Sequence, residues 1–134
     1  MSPAEDALLL LGLVRRHLRA LEQTLNPDYP NEDWGFTAQQ VIEKILKAWI
    51  VLADQRPPHT HELEQLLPLA RVTIPPVLLQ LQVFAVEALY AEGPFPLPAP
   101  QGELLALLQG ELKRLEQAIA EADGGSQAPT DSAG

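Results

Sequence analysis

Glu43, Lys44 and Lys47 stand three and four residues apart, the spacings that bring side chains together on one face of a helix. Two readings suit them. Glu43 can pair with Lys47 on a solvated face, a contribution of about 0.3–0.5 kcal/mol. Alternatively, Lys44 and Lys47 can point two ammonium groups into one groove and form an anion site, the chemistry that a nucleotide phosphate or an RNA backbone requires. His61 lies farther along the chain. It suits either a local role, fixing its loop through a hydrogen bond, or acid–base work and phosphate contact, because histidine titrates near neutrality.

Other residue clusters are less pointed. Arg15, Arg16, His17 and Arg19 are the densest positive feature and read either as a solvated face or as a docking face for an acidic partner or RNA. Trp34, Phe36 and Trp49 read as core or dimer-interface anchors before base-stacking platforms. The chain has no cysteine and three histidines, and His59 and His61 are two residues apart with no third ligand nearby, so no metal and no cofactor is expected. Ser2, Ser126 and Ser132 are all terminal, which argues against a serine nucleophile. No glycine-rich phosphate loop occurs.

The elements that must position these residues follow from composition and from proline. The length of 134 residues suits one domain, and a 46% hydrophobic content is too apolar for a disordered chain. Aromatics make up only 5%, so aliphatic side chains must fill the core. A formal charge of −9 argues against DNA binding through broad phosphate neutralisation. The apolar run from Ala7 to Val14 follows Glu5 and Asp6 and is about half a membrane span, so a soluble, cytoplasmic protein is expected.

The 13 prolines divide the chain into helical segments. Ser2-Pro3-Ala4-Glu5 forms a capping box that starts the first helix, whose stripe is Leu11, Val14, Leu18, Leu21 and Leu25. The second begins at Asn31, as an Asx cap, or at Thr37, and carries a double apolar row of Val41, Ile42, Ile45, Leu46, Trp49 and Ile50 up to about Gln55. A short helix from Thr60 to Leu67 follows, with Thr60 as cap and Pro68 ending it. A fourth runs from Thr73-Ile74-Pro75-Pro76 to Gly93 with Leu78, Leu81, Ala85, Ala88 and Leu89 on its stripe. Gly93 to Pro100 reads as an extended loop with Phe95 and Leu97 tucked inward. Glu103 to Ala122 forms the last helix, with Leu104, Leu108, Leu112, Leu115 and Ile119 inward. The expected fold is all-α: an antiparallel up-and-down bundle of four main helices plus one short helix over residues 1–123, with a disordered tail over 124–134.

The run Phe36-Thr37-Ala38-Gln39-Gln40-Val41-Ile42-Glu43-Lys44-Ile45-Leu46-Lys47-Ala48, followed by Thr60-His61-Glu62-Leu63 and a later Tyr90, resembles the HEPN domain family over most of residues 7 to 122. That resemblance implies a helical bundle that often forms a homodimer, often partners a nucleotidyltransferase, and is associated with nucleotide binding. On it, Glu43, Lys44, Lys47 and His61 are the expected nucleotide-binding residues: the lysines hold phosphates, His61 contacts or orients them, and Glu43 keeps Lys47 in place. The resemblance leaves open a metal-independent ribonuclease of the toxin–antitoxin kind, using Arg56 and His61 across a dimer, and a purely structural interaction domain. Pro94-Phe95-Pro96 stands where the family turn usually reads Arg-Tyr-Pro, which leaves that turn without its arginine.

Overall fold

A computed structural model describes residues 2–125, apart from the side chain of Leu89. All of its regular structure is helical. The elements are α1 (Pro3–Gln23), α2 (Asn31–Leu52), α3 (Leu63–Ala70), α4 (Pro76–Leu79), a 3₁₀ turn over Gln80–Phe84, α5 (Glu87–Tyr90) and α6 (Gln101–Gly125). Residues 126–134, where most of the expected tail falls, lie outside the described residues, and α6 takes in residues 124 and 125 of it.

The long helices form where capping and periodicity agree. At the start of α1 the Ser2 hydroxyl accepts the Glu5 amide and the Glu5 carboxylate accepts the Ser2 amide, at 3.1 and 3.3 Å. Its inner stripe of Ala7, Leu11, Val14, Leu18 and Leu21 is buried, whereas Leu25 lies beyond the helix end and is 47% exposed. The α2 row of Val41, Ile42, Ile45, Leu46 and Ile50 is fully enclosed because neighbours lie on several sides of it: α1, α3, α6 and the 3₁₀ turn. Trp34 joins this core and donates its indole N–H to the Leu21 carbonyl at 3.4 Å. Along α6, Leu104, Leu108, Leu115 and Ile119 are buried and Leu112 is partly so.

Long-range contacts show the helix directions. Arg15 meets Glu116, and Gln101 donates to the Asn26 carbonyl, so α6 runs antiparallel to α1. Asp6 shares a cavity with Val51 and Asp54, so α2 is antiparallel to α1 as well. The helical bundle therefore stands, with three long helices around one aliphatic core.

Its fourth member differs from expectation. The segment expected as one helix from Pro76 to Gly93 is broken into α4, the 3₁₀ turn and α5 by tertiary contacts. Phe84 is buried against Gly35, where a Cβ would lie 2.5 Å from the ring, and the Gln82 side chain accepts the Leu63 amide at 2.8 Å. Val86, at φ −130° and ψ −62°, then leaves helical geometry. Leu78 and Leu81 are buried and Ala85 and Ala88 partly so, while the Leu89 side chain lies outside the described residues.

Helix starts also move. α2 begins at Asn31 with Pro30 at the cap position, so Asn31 is the first helical residue and makes no Asx cap, and Thr37 donates back to the Asp33 carbonyl within the helix. The glycine at 35, which costs about 1 kcal/mol in an isolated helix, is what lets Phe84 close on α2. α3 spans Leu63–Ala70 instead of Thr60 to Leu67, and Pro68 lies inside it. The carbonyl that Pro68 leaves without an amide belongs to Glu64, an exposed residue. Phe95 and Leu97 of the 93–100 loop pack against the core.

Candidate functional site

The polar residues of α2 form one hydrogen-bonded ladder. Glu43 is 2% exposed, so its carboxylate must find partners inside the protein. Its Oε1 accepts from Gln39 Nε2 at 3.2 Å and from His61 Nδ1 at 2.9 Å, and its Oε2 accepts from Lys47 Nζ at 3.2 Å. Gln39 is also fully buried; its amide donates a second time, to the His61 carbonyl at 3.0 Å, and its Oε1 accepts from Gln40 at 2.8 Å. Gln40 in turn accepts from Lys44 Nζ at 2.7 Å. Among the described residues no buried side-chain nitrogen or oxygen is left without a partner.

These contacts account for the local charge states. Burial pushes the Glu43 carboxyl up, but hydrogen bonds from His61, Gln39 and Lys47, with the Lys47 charge, outweigh it, and the group sits below its ordinary value. Since an ionised carboxylate only accepts, His61 Nδ1 carries the proton in this contact. Its Nε2 is then the outward atom of a ring that is 69% exposed. Lys44 is held below the usual lysine range, first by burial and then by the Lys47 charge, against the opposing pull of Glu43. His17 of α1 is likewise lowered, by burial and then by the charges of Lys44 and Arg16.

The geometry thus brings together Glu43, Lys44, Lys47 and His61, the residues singled out in the sequence. Glu43 is no member of a solvated pair: it is buried, contacts Lys47 as the role of keeping that lysine in place requires, and also holds the His61 imidazole. Lys47 is held by Glu43 and Lys44 by Gln40, while His61 Nε2 makes no hydrogen bond among the described residues. The concave surface beside the start of α3, about 360 Å³, is lined by Glu62, Glu64 and Glu87 with Gln82 and Val86, so it is acidic and unsuited to an anion.

Arg56 and His61 are not joined. No hydrogen bond or ion pair links them among the described residues, and the chain between them is non-helical. The α1 cluster divides as well: Arg15 is engaged with Glu116 at 2.6 Å, Arg16 and Arg19 are exposed, and half-buried His17 lies within the electrostatic reach of Lys44. Of the aromatics, Trp34 is core, Trp49 partly buried and Phe36 exposed.

Sequence reasoning passed over three participants. Gln39 stood in the motif without a role, although a glutamine four residues before Glu43 is placed to serve it, and Gln40 was read only as a capping partner for a helix start at Thr37. Gln82 gave no local signal. It replaces Thr60 as the partner of the first α3 amide, while the Thr60 hydroxyl accepts the Glu62 amide at 3.1 Å. Among the described residues no group of three or more histidine, aspartate or glutamate side chains could hold a metal ion. No described helix is long and apolar enough to cross a membrane.

A family model described as HEPN domain matches residues 15–124, which takes in every residue of the ladder. Comparison with curated proteins and with solved structures finds no match.

Proposed function

The chain belongs to the HEPN domain family, and from that premise we propose that it is a non-catalytic, cytoplasmic nucleotide-binding module that works as a homodimer beside a nucleotidyltransferase partner. One observation carries the reading: a single buried carboxylate, Glu43, holds Lys47 and His61, while Gln39 and Gln40 carry the same ladder to Lys44. Donors fixed in this way lose little freedom when they meet a ligand, so their interaction with phosphate oxygens is less offset by ordering. Lys44 is the phosphate anchor, since among the described residues its one hydrogen-bond partner is the neutral Gln40 amide oxygen. Lys47 supplies the second cation. His61 presents Nε2, which donates to a phosphate oxygen when the ring is protonated.

Calorimetric titration with ATP, GTP and a short RNA tests the reading at moderate salt, where phosphate contacts are not screened away. Saturable nucleotide binding is expected, lost in a Lys44→Ala/Lys47→Ala variant whose helical circular dichroism is unchanged. Equal affinity in that variant rejects the assignment. RNA cleavage by the purified protein, abolished by Arg56→Ala or His61→Ala, replaces it with the ribonuclease reading.

A further inference from the structure

A second cluster of positive charge stands apart from the α2 ladder. α2 and α3 end side by side, and between their C-terminal ends lies a cavity of about 210 Å³ walled by Ile50, Pro68 and Leu69 and bordered by Arg56 and Arg71. Both arginines are exposed, and neither guanidinium makes a hydrogen bond or ion pair among the described residues. Leu69 is 48% exposed beside them.

The simplest role for arginines near helix C-termini is to bond the last carbonyls. Here the backbone already serves several of them. Amides of Ala53, Asp54 and Gln55 reach the carbonyls of Trp49, Ile50 and Val51, and the Arg71 amide reaches Leu67. Asp54 and Arg71, at φ 60° and 57°, are the two non-glycine residues with left-handed backbone among those described. Each turns the chain at the end of its helix, and together these turns bring Arg56 and Arg71 to the rim of one cavity.

From this we infer that the cavity is a binding site for a phosphate monoester carrying a small apolar group, held by Arg56 and Arg71 at its phosphoryl end and by Ile50, Pro68 and Leu69 along its stem. One guanidinium fork satisfies both oxygens of a carboxylate, whereas a phosphoryl group has three oxygens and up to two charges to share between two forks. Two arginines on the rim of one cavity therefore suit a phosphoryl group better than a carboxylate. Arg56 also borders an adjoining cavity, lined by Asp6 and Asp54, whose carboxylates make that side unfavourable to an anion. The inference does not depend on nucleotide binding at Lys44 and Lys47.

Phenyl phosphate, inorganic phosphate and benzoate, each titrated into the full chain in a calorimeter, provide the test. Phenyl phosphate is expected to bind saturably, at least tenfold more tightly than inorganic phosphate or benzoate. Arg56→Ala and Arg71→Ala should each weaken it tenfold or more with the thermal midpoint unchanged, while Lys44→Ala/Lys47→Ala leaves it intact. Leu69→Ser should narrow the gap between phenyl phosphate and inorganic phosphate. Absence of saturable binding, or binding that survives both arginine substitutions, overturns the site. Loss only in the lysine variant does so too, by assigning the phosphate to α2.

Discussion

Glu43 and Glu116 are each paired with a cation, yet their surroundings differ. The Glu43 side chain is 3% exposed and accepts from three side chains; that of Glu116 is 35% exposed and meets Arg15, itself 54% exposed, at 2.6 Å. Burial removes the water that would otherwise solvate a carboxylate, so Glu43 is tolerable only with its partners in place, and the partners are thereby fixed. Water competes at Glu116, and the shorter contact is the weaker determinant of structure. The length of an ion pair says less about its importance than what surrounds it.

The most severe way to break this contrast is Glu43→Ala, which removes one of the two acceptors of the Gln39 amide and frees Lys47 and His61. It should destabilise the protein by about 2–3 kcal/mol in urea denaturation, toward the low end for a broken internal pair because Lys47 and His61 retain access to water. A smaller effect is expected from acid. The Glu43 carboxyl is lowered in the folded state, so its stabilising contribution is complete above the ordinary carboxylate value and is lost as pH falls through the folded one. Stability of wild type minus that of Glu43→Gln should therefore shrink as pH falls below about 4.5. A difference that grows on acidification would contradict the hydrogen-bonded carboxylate. Least of all is expected from Arg15→Ala, under about 1 kcal/mol and falling with added salt. An Arg15 effect equal to that of Glu43 would erase the distinction.

Much of the scaffold was legible before any coordinates. The Ser2 capping box, the inward rows of α1, α2 and α6, and the resemblance carried by the Gln-Gln to Lys-Ala run depend on neighbours within a turn or two, where spacing alone decides which side chains meet. The segment after Pro76 was not, because its helical spacing is overruled by Phe84 closing on Gly35 and by Gln82 reaching Leu63. Pro68 misled as well: it lies inside α3, and the amide it lacks would have served the carbonyl of Glu64, an exposed residue.

The candidate site divides along the same line. Local sequence determined that Glu43 and Lys47 share a helical face with Lys44 one turn before Lys47, that Glu43 can reach Lys47, and that the chain is an all-helical member of its family, because each of these depends on periodicity or on a contiguous motif. Whether that face met water was decided only by the tertiary structure. The loop carrying His61 folds over one side of α2, its carbonyl and ring engage Gln39 and Glu43, and a pair that would otherwise be solvated becomes an internal network. Residues 18 positions apart come within hydrogen-bond distance there, and a carboxylate denied water must accept from whatever the fold delivers.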